Sequence, residues 1–145
     1  MKNFLFMCLI AIGCGKCTTS CNKTAATCDA SVFTYEVILD TPVPAGSIQI
    51  TYSDETGTYQ QDTSLTSTWT SDVTSVHSVY LAITPGPHFA NYVAAGTNLT
   101  TTATLNLYRD GDLVETTGSK PFCQQNGATA CTGENSISVT HVCVD

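Results

Sequence analysis

Apolar and polar residues alternate one by one in several segments of this chain, and this period of two constrains its fold more than any other feature. In the first alternating segment, Phe33, Tyr35 and Val37 share one phase, whereas Thr34 and Glu36 occupy the other. A β-strand places successive side chains on opposite faces, so this pattern predicts strands with one buried face. The same alternation recurs in residues 48–52, 79–83, 103–108, 113–117 and 137–144.

Turn-forming residues separate these segments. Residues 42–46 read Pro-Val-Pro-Ala-Gly, residues 85–87 read Pro-Gly-Pro, and Asp110-Gly111 joins two alternating runs. Asp-Gly between two such runs is typical of a type I′ hairpin turn, which explains Asp110-Gly111-Asp112 better than a calcium loop does. Short strands at regular spacing predict an all-β, antiparallel β-sandwich of about seven strands, with no helix beyond the N-terminal leader and at most a single helical turn.

Composition limits the partners of the chain. Its 145 residues suffice for one domain with a single core, and only 12% of them are charged. The formal net charge is −7, with 5 Lys and Arg in total. Nucleic acid is therefore excluded as an expected partner, because a phosphate backbone is bound by basic side chains.

The N-terminus has the pattern of an export signal. Lys2 precedes an uncharged run that is too short to span a bilayer, and the run ends at Gly13-Cys14. Residues 10–14, Ile-Ala-Ile-Gly-Cys, resemble a bacterial lipobox, in which the cysteine is acylated and becomes the new N-terminus. We expect residues 1–13 to be a lipoprotein-type signal peptide; ordinary signal cleavage nearby is the alternative. Residues 14–31 would then be a cysteine-containing tether, and residues 32–145 the β-sandwich domain with a cysteine-bearing C-terminal extension.

The cysteine count agrees with export. Of 8 cysteines, Cys8 lies in the leader and Cys14 would carry the lipid, which leaves an even set of six. In a small exported domain such a set is most simply three disulfides. A metal site in the crowded N-terminal cysteines is the alternative, but ligand-spaced histidines are missing, so we expect neither a metal nor a cofactor. The predicted pairs are Cys123 with Cys131, Cys28 with Cys143, and Cys17 with Cys21.

Several strand and turn motifs together resemble one known family. They are residues 34–37, 47–57, Gln60-Gln61, Trp69 and residues 105–111. With these motifs, the sequence from residue 32 to 118 is similar to the extracytoplasmic domain of the mycobacterial membrane protein S (MmpS-like) family. The resemblance implies an immunoglobulin-like sandwich and an accessory role beside an envelope transporter, and it brings no catalytic residues. Two features depart from the family: a lipobox replaces its membrane-spanning helix, and residues 121–145 are an addition.

Histidines are the first candidates for acid–base catalysis, and the chain has three. His77 and His141 fall in the inward phase of their strands, with Val79 and Val139, near strand ends where a ring can reach water. We therefore expect packing roles for both, and an exposed His88 in the Pro-Gly loop. Because no nucleophile motif or phosphate-binding loop is present, we predict no catalytic residues and no enzymatic activity.

Aromatic residues give the candidates for binding. Trp69 lies among Thr and Ser residues, and its side chain would either fill the core of the sandwich or provide a ring on which a ligand stacks. The family resemblance favours the core position. Phe89 and Tyr92 fall in the long connection of residues 84–98, where exposed aromatics would form a binding surface unless they fold back over the end of the sandwich.

Two functional hypotheses follow. The first is a non-enzymatic binding or accessory module at the bacterial cell envelope, anchored to the membrane through Cys14 or secreted, with an envelope protein as partner. The second is a structural or adhesive surface component. The expected location in both is the outer membrane, periplasm or cell surface.

The lipobox yields a direct prediction. Replacing Cys14 with Ser removes the acylated thiol, so the protein should move from the detergent phase to the aqueous phase in a two-phase detergent extraction. Cys8→Ser, in the leader, is the matched control and should leave the partition unchanged. Detergent-phase retention of the Cys14 variant would contradict acylation.

Overall fold

The chain folds into β-strands, and the computed structural model describes residues 30–75, 77–127 and 129–142. A 3₁₀ turn, Phe89–Asn91, accompanies the strands. No helix within the described ranges has the length and apolarity to cross a membrane. The same ranges contain nine strands: β1 Ser31–Leu39, β2 Ile48–Ser53, β3 Tyr59–Asp62, β4 Thr68–Ser75, β5 Val79–Pro85, β6 Leu99–Arg109, β7 Asp112–Thr116, β8 Lys120–Gln124 and β9 Ile137–His141.

The strands form two antiparallel sheets. The first has the order β4-β1-β6-β7, with β8 also paired to β6, and the second has the order β3-β2-β5-β9. β1 pairs with β4 and β2 pairs with β5, while the chain crosses between sheets from β1 to β2 and from β4 to β5. Immunoglobulin domains connect their B, C, E and F strands in this way. The predicted antiparallel β-sandwich is confirmed.

The strand number exceeds the prediction of about seven, because β3 and β8 have no apolar alternation. β3 reads Tyr-Gln-Gln-Asp and is mostly exposed. β8 reads Lys-Pro-Phe-Cys-Gln and contains a proline. Pairing with a neighbouring strand creates both of them, so their own pattern does not reveal them.

The core lies between the two sheets. It is formed by the side chains that the alternation predicts to face inward. β1 alternates strictly between buried and less buried positions. Its inward residues pack with those of β2, β5, β6 and β9 in one cluster, which also includes Leu65 from the β3–β4 connection. The largest fully buried side chains are Tyr35, Phe33, Phe122, Ile48, Ile50, Leu65, Leu81, Ile83, Leu105, Leu107, Ile137 and Val37.

Tyr35 links the two sheets by a hydrogen bond as well as by packing. Its hydroxyl donates to the carbonyl oxygen of Ser53, at the end of β2, over 2.8 Å. Burial raises the pKa of Tyr35 to about 12, because the phenolate would lose its solvation in the core. The buried phenol therefore remains a donor throughout the neutral range.

The β6–β7 turn has the conformation that its sequence predicts. Asp110 and Gly111 have φ angles of 51° and 92°, as a type I′ turn requires. The Asp110 carboxylate accepts a hydrogen bond from the backbone N–H of Val32 at 2.9 Å, so the side chain fixes the start of β1.

The Cys123–Cys131 disulfide is formed, with 6.0 Å between the Cα atoms. The Asn126-Gly127 pair favours a reversing turn, and the chain reverses between the two cysteines as this pair predicts. Gly127 does not have a positive φ angle, and the loop is fixed by contacts to the β5–β6 connection. Asn126 donates from Nδ2 to the Val93 carbonyl at 3.0 Å, and its backbone N–H donates to Asn98 Oδ1 at 3.0 Å.

The remaining cysteine predictions fall outside the described residues. They are the lipidation of Cys14 and the pairs of Cys28 with Cys143 and of Cys17 with Cys21.

Replacing Cys131 with Ser should lower the free energy of unfolding by about 2.5 kcal/mol, the value expected for a closed loop of this length. Cys131 is the better position to change because Cys123 is buried. Urea unfolding of the mature protein would measure the difference, with Ala130→Ser as a control that keeps the bond. An unchanged unfolding midpoint would contradict a stabilising role.

Candidate functional site

The predicted binding residues Phe89 and Tyr92 lie at one end of the sandwich, in the β5–β6 connection. Phe89 is half-buried in the 3₁₀ turn, and Tyr92 is 47% exposed. The Tyr92 ring lies against Gly46, where an added Cβ would come within 2.5 Å of it. Gly46 also has a φ angle of 86°, so the tight approach of the ring and the backbone both favour glycine. Tyr92 thus folds back over the end of the sandwich and keeps part of its ring in solvent.

The histidines occupy three different environments. His141 faces the core side of β9, with its ring 5.8 Å from that of Phe33 and its Nδ1 3.4 Å from a Glu115 oxygen. This is the expected packing role. His88 is exposed, also as expected. The inward placement predicted for His77 is wrong: β4 ends at Ser75, so His77 lies exposed in the β4–β5 connection and not in a strand phase.

Trp69 lies in the inward phase of β4 and packs against the core. Its ring centroid is 5.1 Å from that of Tyr52, which in turn lies 5.6 Å from Tyr35. The three rings run from the centre of the sandwich toward its side. Because β4 is the outermost strand of its sheet, Trp69 is only half-buried and closes the side of the core.

Next to this aromatic row, the two sheets leave an open cleft between their edge strands. The volume of this cleft is about 310 Å³. We call it the edge cleft; it is lined by Tyr52, Asp54, Glu55 and Gln60 from one sheet and by residues 71–74 of β4 from the other. It therefore combines an aromatic side chain, the carboxylates of Asp54 and Glu55, an amide and hydroxyls on one concave surface.

Asp54 organises the second-sheet wall of the edge cleft. One carboxylate oxygen accepts hydrogen bonds from the backbone N–H groups of Thr56 and Thr58, each at 2.9 Å. The other accepts from Gln60 Nε2 at 2.8 Å. These bonds, the side-chain bonds of Thr56 and Gln60 first, lower the pKa of Asp54 to about 2. The edge cleft thus carries a fixed negative charge at all physiological pH values.

The β4 wall of the edge cleft carries no carboxylate of its own. Trp69, Ser71 and Val73 have the inward phase of β4, whereas Asp72 is exposed on the outer face of the sheet, where it accepts a hydrogen bond from the Thr34 hydroxyl at 2.6 Å. Glu55, at the tip of the β2–β3 turn, is exposed and adds a second carboxylate beside Asp54. A concave surface with two carboxylates and an aromatic ring suits the binding of a cationic group.

A second polar cluster covers the outer face of the β1 sheet. Glu36 accepts hydrogen bonds from Asn106 Nδ2 and from the Tyr108 hydroxyl, both at 2.8 Å. Asn106 Oδ1 in turn accepts from the Thr116 hydroxyl at 2.7 Å. The bond to Glu36 raises the pKa of Tyr108, because that bond favours the protonated phenol. The cluster ties β1, β6 and β7 together, and its groups are engaged with one another.

No family model matches the chain, and no curated protein matches it significantly.

The sequence did not single out the edge cleft as a site. Asp54, Glu55 and Gln60 stand in a segment that reads as a turn between strands, and Asp72 is an isolated charge in a Thr-rich run. Only the pairing of each strand into its sheet brings these residues to the same edge. The one available signal was the Asp-x-Thr-x-Thr pattern of residues 54–58, which favours an Asx turn around an ionised aspartate.

Asp54 generates a prediction about acid stability. Its pKa in the folded protein, about 2, lies below the ordinary value of 3.8. The stabilisation it gives is therefore present above pH 3.8 and is lost as the pH falls through about 2. Between pH 3.8 and about 2, the free energy of unfolding should therefore fall less in Asp54→Asn than in the wild type. Urea unfolding at several pH values would measure the difference.

Glu55→Gln is the matched control, since it removes a neighbouring carboxylate of the same turn. It should leave the acid dependence close to that of the wild type. An Asp54 variant with the full acid dependence would show that other carboxylates produce it.

Proposed function

We propose that this chain is an exported, non-enzymatic binding module of the bacterial cell envelope, which acts as an accessory to a partner protein there. The lipobox-like sequence before Cys14 supports anchoring to the membrane through a lipid. The resemblance of its strand and turn motifs to the MmpS-like family supports a partner at an envelope transporter. The partner binds at the edge cleft.

The geometry of the edge cleft is the observation that carries this proposal. Its walls come from two different sheets, and the disposition of Asp54 is fixed by four hydrogen bonds that do not involve a ligand. A carboxylate held in one position loses little entropy when it binds a cation. The aromatic side of the cleft adds apolar surface beside this charge.

Export agrees with the redox state of the domain. The Cys123–Cys131 disulfide is typical of proteins in an oxidising compartment, such as the periplasm or the cell surface.

Charge favours a binding module over the alternative of a self-assembling structural or adhesive component. The described residues include ten acidic and only two basic side chains, Arg109 and Lys120. Lys120 lies 3.3 Å from Glu134 and is already paired. Copies of this domain therefore repel one another, whereas a basic partner is attracted.

Site-specific photo-crosslinking in the bacterium that encodes the chain tests this function. A photoreactive amino acid replaces Gln60, which lines the edge cleft, and in a control variant it replaces Ser138 on β9, at the far edge of the same sheet. We expect the Gln60 probe, and not the Ser138 probe, to capture one discrete envelope protein, identified by mass spectrometry.

Two outcomes would contradict the proposal. Crosslinks between copies of the chain alone would favour the structural component. Equal capture from Gln60 and Ser138 would mean that the edge cleft is not the binding surface.

A further inference from the structure

The outer edge of β4 is an unpaired strand edge, and the hydrogen-bond pattern shows which backbone groups face outward. The N–H of Leu39 donates to the carbonyl of Ser67 at 2.7 Å, so these two residues form a hydrogen-bonded pair. In an antiparallel ladder such pairs recur at every second position. The next pairs toward the start of β1 are therefore Val37 with Trp69 and Tyr35 with Ser71.

The alternate residues of β4 consequently direct their N–H and C=O groups away from β1. They are Thr68, Thr70, Asp72 and Thr74. No strand of the described residues pairs with this side of β4. Four consecutive outward-facing positions are enough to bind an added strand of about eight residues.

This edge lacks the features that usually prevent strand addition. Natural edge strands are protected by lysine, proline, a bulge or a short length. β4 has eight residues without lysine, proline or glycine, and its register with β1 is continuous from Thr68 to Ser75. Its single charge is Asp72.

The charges around the edge select the partner. An added strand would send alternate side chains over the edge cleft, where Asp54 and Glu55 line the opposite wall. Asp72 lies on the outer face of β4, where it would be next to the other alternate side chains of the added strand. A second copy of this chain would bring further carboxylates to this surface, and its own edge is equally acidic, so charge disfavours it. Lysine or arginine at the cleft-facing positions would be attracted to the carboxylates and could stack on Tyr52.

We infer that β4 receives an extended, basic segment of a partner protein as an additional antiparallel strand, with Lys or Arg side chains in the edge cleft. This inference rests on the proposed binding function and names the chemistry of its partner. Backbone hydrogen bonds to Thr68, Thr70, Asp72 and Thr74 hold the segment, and the carboxylates of the cleft select its sequence.

Selection from a displayed random dodecapeptide library against the mature protein tests the inference. The enriched peptides should carry Lys or Arg at alternate positions, and their binding should weaken with salt. Thr70→Pro removes one outward N–H without removing a hydrogen bond to β1, and it should weaken the affinity of the selected peptides at least about tenfold. Thr70→Val, which keeps this N–H, is the matched control and should bind as the wild type does.

A second variant tests the charge of the edge cleft and does not require β4 to accept a proline. Glu55→Lys, which reverses the charge of an exposed carboxylate in the edge cleft, should bind the basic peptides at least about tenfold more weakly. Unchanged affinity of Thr70→Pro, enrichment of peptides without basic residues, or no enrichment at all would overturn the inference. If a partner is nevertheless captured through Gln60 in the crosslinking experiment, the proposed function stands and strand addition at β4 is wrong.

Discussion

The inward face of β1 is the contact on which the rest of this structure depends. β1 lies in the middle of the first sheet, between β4 and β6, and its buried side chains face the second sheet. Phe33, Tyr35 and Val37 are fully buried, and the Tyr35 hydroxyl also reaches the backbone of β2. A slip of one residue in the register of β1 would turn these side chains to solvent and place Thr34 and Glu36 in the core, so the register is strongly specified.

The same register determines which groups remain available at the surface. Because the hydrogen bonds of β1 to β4 use every second residue, the other half of the β4 backbone is directed outward. The facing wall is arranged by Asp54, whose hydrogen bonds shape the β2–β3 turn. The edge cleft and the free strand edge therefore lie side by side, and both follow from how the strands pair. The acidic surface around them discourages contact between copies and favours a basic partner.

Much of the fold was predictable from the sequence, and the candidate site was not. The alternation of residues 33–39 and the Asp110-Gly111 turn each encode their structure locally, so both predictions are confirmed. The Cys123–Cys131 pairing is confirmed as well, although Asn126 fixes the loop through long-range hydrogen bonds. The prediction that His77 faces inward in a strand is wrong. β4 ends at Ser75 because its pairing with β1 ends there, and no turn residue in the sequence indicates this end.

A concave surface made by two edge strands has no signal in either strand alone. β3 and β4 are adjacent in sequence but belong to different sheets, and the order of strands in those sheets is set by the whole topology. The sequence directed attention to Phe89 and Tyr92, since aromatic residues in a long loop are a common binding surface. The structure places them at the opposite end of the sandwich from Asp54 and Asp72.

Amide hydrogen exchange along β4, measured by NMR on the mature protein without a partner, tests the central claim most directly. The account predicts slow exchange for Trp69, Ser71 and Val73, whose N–H groups are directed to β1. It predicts fast exchange for Thr70 and Asp72, whose N–H groups are directed to the free edge. Slow exchange at all of these positions would contradict the account, because the edge of β4 would then already be paired.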